Sequence, residues 1–321
     1  MHGGHRRGRR PQGPLSRSCH RHHRRCHPRN PLAHPFYRQP GLDSGSSGHQ
    51  THPVACGHRG GPGGPCLRVA KVARRTLHQA WIHGLRPEVT VHFRVVSYNI
   101  HGCVGRDRRR DADRIAASIR EFAADVVGLQ EVDTDSGPGL DSSQMDYLPH
   151  ATGLHAAHGP LLSRHHGHYG NLVLSAHPIL AVRHIDLSVG RHEPRGALDC
   201  DIALRDRRLR VVVTHFGLRP AERRAQAARL MAALAPDCHR PLVVMGDFND
   251  WRTQGPTLAP LHGQLGRRAS PPTYPAFFPL LPLDRIFVCP AEASVTLHAE
   301  NSSAARVCSD HLPLHASVVM P

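Results

Sequence analysis

Lysine is almost absent from this chain of 321 residues, since Lys71 is the only lysine among 41 basic side chains. Long apolar runs are missing too: nothing approaches the ~18 apolar residues of a membrane span, and the N-terminus has no apolar signal-peptide core. The nine cysteines form no C-x-x-C pair. These absences predict a cytoplasmic protein without a transmembrane segment, because scattered cysteines suit a reducing compartment.

Charge is distributed very unevenly along the chain. Residues 1–90 carry 16 Arg and Lys side chains against only Asp43 and Glu88, whereas residues 91–321 carry 25 against 23 acids. The Gly-, Pro-, His- and Arg-rich composition of residues 1–90 cannot bury enough apolar surface to offset chain entropy. We therefore predict a basic, disordered N-terminal segment at 1–90 and one folded domain at 91–321.

Three interpretations of residues 1–90 remain open. The segment could be a basic arm that binds nucleic acid or another anionic surface. It could also bind zinc, although the spacing of its candidate ligands matches no finger or ribbon: Cys19, His22, His23, Cys26 and His27. We favour a third interpretation, in which the scarcity of lysine indicates a GC-rich coding sequence and a start codon assigned too early, so that the native start lies near residues 85–92.

Beyond residue 91, apolar runs alternate with amphipathic stretches. The pattern predicts helices at 111–125, with Asp111 as N-cap, and at 219–236, with Pro220 in the first turn. Residues 133–167 are predicted to be mostly loop. Strands are predicted at 91–100, 126–132, 168–179, 178–189, 195–204, 209–218, 242–249, 283–288 and 311–319. Strand follows strand too often for a purely parallel sheet, so the prediction is a mixed α/β layered sandwich.

Polar side chains stand where most of these apolar strands begin or end. Such residues build the sites of open α/β sheets, because strand ends meet at one edge of the sheet. In PLVVMGDFNDW, a period of two places Asp247 and Asn249 on the same face, with Phe248 on the other. The full set at strand ends is Asn99, Glu131, His215, Asp247, Asn249, Asp284, Asp310 and His311.

This set suits metal-assisted hydrolysis of a phosphoester. Carboxylates such as Glu131 and Asp310 are hard oxygen ligands that favour Mg²⁺ or Mn²⁺. Asp247 would activate the attacking water, and Asn249 would aim that water or hold a phosphate oxygen.

The two histidines of the set complete the predicted chemistry. His311, paired with a carboxylate such as Asp284, would stay protonated and stabilise charge on the phosphate. His215 would serve the leaving oxygen.

Seven short segments carry a resemblance to a known family: SYNIHG, GLQEV, YGNLVLS, VVTHF, GDFND, LDRIFV and SDHLP. Their order and spacing over about residues 92–319 resemble the endonuclease/exonuclease/phosphatase superfamily, whose fold is that of pancreatic-type deoxyribonuclease. The resemblance implies a four-layer α/β sandwich of two packed mixed β-sheets that uses Mg²⁺ or Mn²⁺. It implies catalytic roles for Asn99, His215, Asp247, Asn249, Asp284 and His311, metal binding by Glu131 and Asp310, and a weaker phosphate contact by Asn171.

One departure from the family pattern narrows the range of expected substrates. The apurinic-endonuclease branch has an acidic residue where this chain has His101, which argues against abasic-site repair. Four histidines are predicted to be surface or loop residues rather than ligands: His101, His165, His166 and His168.

The charge balance of residues 91–321 favours a small or lipid-derived phosphodiester over long nucleic acid, whose binding needs many phosphate contacts. The alternatives are a DNA or RNA endonuclease or exonuclease, and a nucleic-acid-binding protein that acts through residues 1–90. No obligate protein partner is predicted.

Overall fold

The computed structural model describes residues 90–133, 143–164, 167–234, 241–266 and 268–320. The disorder, zinc binding and early start predicted within residues 1–90 lie outside the described residues. Among the residues described, no helix is both long and apolar enough to cross a membrane.

Eleven strands of the described residues form two mixed β-sheets. The strands are β1 Val91–Asn99, β2 Val126–Asp133, β3 His155–Arg164, β4 Gly167–Ser175, β5 Ile179–Asp186, β6 Gly196–Leu204, β7 Arg207–His215, β8 Leu242–Asp247, β9 Asp284–Cys289, β10 Ser294–Ala299 and β11 Leu314–Met320. One sheet has the order β10-β11-β1-β2-β4-β3, and the other has the order β5-β6-β7-β8-β9. In each sheet one neighbouring pair is parallel, β1 with β2 and β7 with β8.

The two sheets pack face to face around one apolar core. Val95 and Val126 of the first sheet share this core with Val211 and Val243 of the second. Helices cover both outer faces: α1 Ala112–Phe122 and α2 Gln144–Thr152 on the first sheet, α3 Pro220–Leu234 and α4 Ala259–Leu265 on the second. A short helix, α5 Ala305–Cys308, precedes the last strand. The predicted four-layer α/β sandwich is therefore confirmed.

Helix α1 forms where its sequence pattern predicts it. Asp111 caps its first turn, because its Oδ1 accepts a hydrogen bond from the N–H of Arg114 at 2.9 Å. Ile115 and Ile119 are buried against the sheet. The helix ends where Ala123 adopts a left-handed conformation.

The prediction for residues 133–167 was wrong, because this stretch contains α2 and β3. Pro149 lies inside α2 and obscured the helical pattern. Strand β10 was not predicted either, and it is an edge strand whose residues are all half-buried or exposed. Strands β4 and β5 follow each other as predicted, but they belong to different sheets.

Candidate active site

The polar strand ends converge where the two sheets meet. Asn99 is the last residue of β1, and its Nδ2 donates to Asp247 Oδ2 of the opposite sheet at 3.2 Å. In the second sheet His215 pairs with Asp247 across β7 and β8, and Asp247 pairs with Asp284 across β8 and β9. The structure thus brings together the predicted residues Asn99, Glu131, His215, Asp247, Asn249, Asp284, Asp310 and His311.

A β-bulge aims Glu131 into this region. Between Leu129 and Val132 the ladder of β2 with β4 shifts register, so that Gln130 and Glu131 oppose the single residue Asn171. Glu131 has a positive φ of 59°, a backbone conformation that is uncommon outside glycine. Bulges of this kind redirect a side chain beside a site.

The carboxylate of Glu131 is held by three neighbours. Asn99 Nδ2 donates to Oε1 at 2.9 Å, and the hydroxyl of Tyr169 donates to Oε2. His101 Nδ1 lies 3.4 Å from Oε2. Burial alone would raise the pKa of Glu131, but these hydrogen bonds hold it well below its usual range. Glu131 is therefore ionised.

The carboxylate pair Glu131 and Asp310 fits a divalent cation. His101 Nδ1 lies 3.4 Å from an oxygen of Glu131 and 3.8 Å from an oxygen of Asp310, so one positive group can face both carboxylates. The hydrogen bond to Glu131 raises the pKa of His101 against the opposing effect of burial. Oxygen ligands from two acids suit Mg²⁺ or Mn²⁺.

Asp247 occupies the centre of the site and is buried. Its Oδ1 accepts the backbone N–H of Asn249 at 2.8 Å. Its Oδ2 lies 3.5 Å from His215 Nε2 and 3.7 Å from His311 Nε2. Burial raises the pKa of Asp247 to about 6, although the positive charge of His311 opposes the rise.

His311 is a buried cation held by two carboxylates. Its Nδ1 lies 2.8 Å from Asp284 Oδ2, which also accepts the hydroxyl of Thr273. Burial lowers the pKa of His311, but Asp284 and Asp247 outweigh burial and raise it to about 10. The ring of Tyr274 packs against the imidazole with centroids 4.9 Å apart. His311 therefore presents a protonated Nε2 to the site.

His215 differs from His311 because an arginine holds it. Arg195 Nη1 lies 3.1 Å from His215 Nδ1, and Asn249 Nδ2 lies 3.1 Å from His215 Nε2. Burial and then the charge of Arg195 lower the pKa of His215 to about 3. Glu193 in turn binds Arg195 at 2.7 Å. His215 is thus a neutral, buried ring at the edge of the site.

The geometry of Asn249 corrects one expectation. The strand ends at Asp247, and Asn249 has a φ of 50°, so the two are not consecutive side chains on one face of an extended segment. Asn249 instead reaches the site through Nδ2, which lies 3.1 Å from His215 Nε2 and donates to the carbonyl of Phe216 at 2.9 Å. Phe248 is buried on the other side, as predicted.

Asn171 lines a small recess together with Glu131, Tyr169, Arg195 and His215. Its Nδ2 donates to the carbonyl of Gly196 at 3.2 Å. Because Asn171 belongs to β4 and Gly196 to β6, this hydrogen bond joins the two sheets. A phosphate contact by Asn171 stays a prediction.

Sequence reasoning missed three residues of the site: His101, Tyr169 and Arg195. Tyr169 could have been found, because it lies two residues before Asn171 and so shares its face of β4. His101 was expected to be a surface or loop residue, and it does lie in a short 3₁₀ turn and is exposed, but it faces both predicted metal ligands. His165, His166 and the side chain of His168 lie outside the described residues.

Comparisons with known proteins agree with this fold. The model of the "Endonuclease/Exonuclease/phosphatase family" matches residues 96–311. The chain is similar to YbhP of Escherichia coli strain K12, with 36% identity over 248 residues that cover 70% of this chain and 96% of YbhP. The structure of an endonuclease/exonuclease/phosphatase from Beutenbergia cavernae DSM 12333 superposes with a TM-score of 0.58 at 26% identity, covering 71% of each chain.

A third similarity, at the level of fold alone, is to the mannosyl-6-phosphatase Bt3783 of Bacteroides thetaiotaomicron VPI-5482. The TM-score is 0.54 at 18% identity, covering 71% of this chain and 100% of that one. The fold, the site and the family match together indicate a hydrolase with an α/β sandwich fold. The chain belongs to the endonuclease/exonuclease/phosphatase family, whose members act on phosphoester bonds.

Proposed function

We propose that this protein hydrolyses a phosphodiester by metal-assisted attack of water. One observation carries the proposal: Asn99 links the ionised Glu131 to the buried Asp247, which faces the cationic His311. A carboxylate that can bind a metal, a candidate base and a cation for the phosphate therefore lie next to one another. Polar side chains that only faced solvent at the ends of strands would not be buried together in this way.

Glu131 and Asp310 would hold Mg²⁺ or Mn²⁺. When bound, such an ion neutralises charge on phosphate oxygens and favours attack at phosphorus. His101, which faces both carboxylates, would give way to the ion or hydrogen-bond to its coordinated water.

The protein groups divide the proton chemistry between them. Ionised Asp247 accepts the proton of the attacking water, and Asn249 helps to position that water. His311 stays protonated and donates Nε2–H to a phosphate oxygen as negative charge develops. His215, which is neutral and lies beside Asp247, would hydrogen-bond the leaving oxygen.

Exposed apolar side chains on the loops around the site favour a substrate with an apolar part. We call this set the apolar rim: Leu218, Trp251, Phe277, Phe278 and Leu280, of which Leu218 is 72% and Phe278 61% exposed. Leu218 and Trp251 lie within three residues of His215 and Asn249. Arg106 stacks over the ring of Phe277 at 4.9 Å and adds a positive charge. A small or lipid-derived phosphodiester suits this combination better than a long polyanion.

A substrate panel with the full-length protein tests the proposal. The panel contains bis(p-nitrophenyl) phosphate, a choline phospholipid, supercoiled plasmid, single-stranded RNA and a sugar 6-phosphate, each with Mg²⁺, with Mn²⁺ and with chelator. We expect turnover of the small diester or the phospholipid that falls at least about 100-fold in Asp247→Asn. Asp206→Asn, in an exposed turn, serves as the matched control and should behave like the parent.

Each arm of the panel has a distinct meaning. Preferred cleavage of plasmid or RNA would replace the small diester with nucleic acid as substrate, and preferred cleavage of the sugar phosphate would make the protein a monoesterase. If no phosphoester is turned over, or if Asp247→Asn equals the parent, the proposed hydrolysis is wrong.

A further inference from the structure

A second group of metal-ligand side chains lies at the edge of the six-stranded sheet. His298 of β10 is directly opposite His315 of β11 in the antiparallel ladder. Glu300 lies two residues beyond His298, and its N–H donates to the carbonyl of Pro313 at 2.8 Å, so the pairing continues. Residues two apart on a strand, and residues opposite each other, share one face of a sheet. The register therefore places His298, Glu300 and His315 together, and none of them belongs to the candidate active site.

The three side chains are close enough to share one ion. One ligand atom from each residue lies within 4.8 Å of the other two. The two imidazoles stack with centroids 4.7 Å apart and ring planes at 19°. An ion about 2.1 Å from each ligand would bring the ligand atoms to roughly 3–3.5 Å from one another. Small rotations of the exposed His298 side chain would bring the ligand atoms to this shorter separation. The ring of Phe122 packs against the ring of His315 with centroids 4.9 Å apart and holds His315 in place.

The same three side chains line a cavity of about 490 Å³ between the edge strands and helix α1. Within the part of the chain that the structure describes, His315 Nε2 and the hydroxyl of Tyr98 are buried and have no hydrogen-bond partner. Both residues line this cavity. A buried polar group without a partner is destabilising, so both atoms favour a polar occupant of the cavity.

The donor set indicates the kind of ion. Two imidazoles and one carboxylate are typical ligands of Zn²⁺ and similar transition-metal ions, whereas Mg²⁺ and Ca²⁺ prefer oxygen alone. We propose that His298, Glu300 and His315 bind one Zn²⁺-type ion. Three protein ligands leave a further coordination position, which water or a small ligand in the cavity would fill. The site would then either stabilise the sheet edge or bind a ligand of its own.

Co²⁺ binding to the full-length protein tests this site, because Co²⁺ replaces Zn²⁺ and absorbs visible light when bound by imidazole and carboxylate. The chain carries 29 histidines, so the readout is the difference between matched variants. His298→Ala removes an exposed ligand, and His184→Ala removes an exposed histidine of β5 in the other sheet. We expect the parent and His184→Ala to bind one more equivalent of Zn²⁺-displaceable Co²⁺ than His298→Ala.

A second variant tests whether the loss of Co²⁺ binding comes from the missing ligand itself and not from a change in the fold. Glu300→Gln keeps the size of the side chain and should weaken Co²⁺ binding by ~10-fold or more. Circular dichroism reports whether each variant folds, and if His298→Ala does not, Glu300→Gln alone decides. Hydrolysis with Mg²⁺ should be the same in the parent and in Glu300→Gln. Unchanged Co²⁺ stoichiometry, spectrum and affinity in the folded variants would overturn the proposal.

Discussion

At the scale of single residues, two opposite protonation states define the candidate site. Burial raises the pKa of Asp247 to about 6, and two carboxylates raise the pKa of His311 to about 10. Between these values Asp247 is an anion and His311 is a cation. A base and a hydrogen-bond donor are then ready together, which general acid–base catalysis requires.

The pH dependence of kcat/KM should therefore be bell-shaped. Activity rises with pH near 6, because Asp247 must lose its proton to act as base, and falls toward pH 10, because His311 must keep its proton. Asp284→Asn removes a carboxylate that stabilises the protonated ring, so its alkaline limb should move to lower pH. The exposed Asp206→Asn should keep the parent profile. An alkaline limb unmoved in Asp284→Asn would contradict the assigned pairing.

Arg195 provides a second residue-level prediction. It donates to His215 Nδ1, so we expect it to favour the tautomer with the ring proton on Nε2. Arg195→Leu frees Nδ1 and removes a charge that lowers the pKa of His215. We expect kcat to fall by about 10–100-fold with little change in KM, and the pKa of His215 to rise.

NMR of the histidine ring ¹⁵N nuclei measures the tautomer and the pKa of His215 directly. Arg191→Leu, which removes an exposed arginine four residues away, is the matched control. A His215 tautomer that is the same in the parent and in Arg195→Leu would show that Arg195 does not set it.

The strand-end residues were predictable one by one, but their partners were not. Asn99 and Asp247 follow from apolar runs that end in a polar side chain, and Asp284 follows from a strand that begins with one. Arg195 gave no such signal, because one arginine among 41 basic residues looks like any other. Its role depends on the pairing of β6 with β7, which only the folded chain provides.

At the scale of elements, a glycine permits the close approach of β8 to β7. Gly246 has a φ of 152°, and a Cβ there would lie 1.9 Å from the carbonyl oxygen of Thr214. That oxygen belongs to the backbone of the neighbouring strand, so it cannot move aside cheaply. The GDFN motif therefore needs glycine at this position, because only glycine lets the strand that carries Asp247 pack this closely against its neighbour.

Gly246→Ala should destabilise the protein by about 3 kcal/mol or more, because strained backbone and a clash with main chain add together. Gly263→Ala is the matched control, since a Cβ at Gly263 in helix α4 meets nothing within 4 Å. This control should be neutral or stabilising by up to about 1 kcal/mol. Urea unfolding of both variants measures the difference, and equal midpoints would refute the packing argument.

Elements were predictable where their pattern was regular. The β6–β7 hairpin and helix α3 have clear alternation and clear boundaries. Helix α4 has only seven residues, too few for a helical period to stand out. The Glu131 bulge was also not predictable, because a run of apolar residues does not reveal one extra residue in a ladder.

At the scale of the whole molecule, the sandwich fold brings segments that are distant in the sequence together in one site. Asn99 and Asp247 are separated by 148 positions in the chain, yet their side chains are hydrogen-bonded. The layer architecture was predictable from the order of strands and helices. The assignment of strands to sheets was not, because β4 and β5 are adjacent in sequence and lie in different sheets.

The central claim is that Glu131 and its neighbours form one metal-dependent hydrolytic site. Its most direct test is kcat/KM for bis(p-nitrophenyl) phosphate with Mg²⁺, measured for the parent, Glu131→Gln and the exposed control Glu292→Gln. The account predicts a loss of at least about 100-fold in Glu131→Gln, a similar loss of the parent with chelator, and no change in Glu292→Gln. Parent-like turnover by folded Glu131→Gln would contradict it.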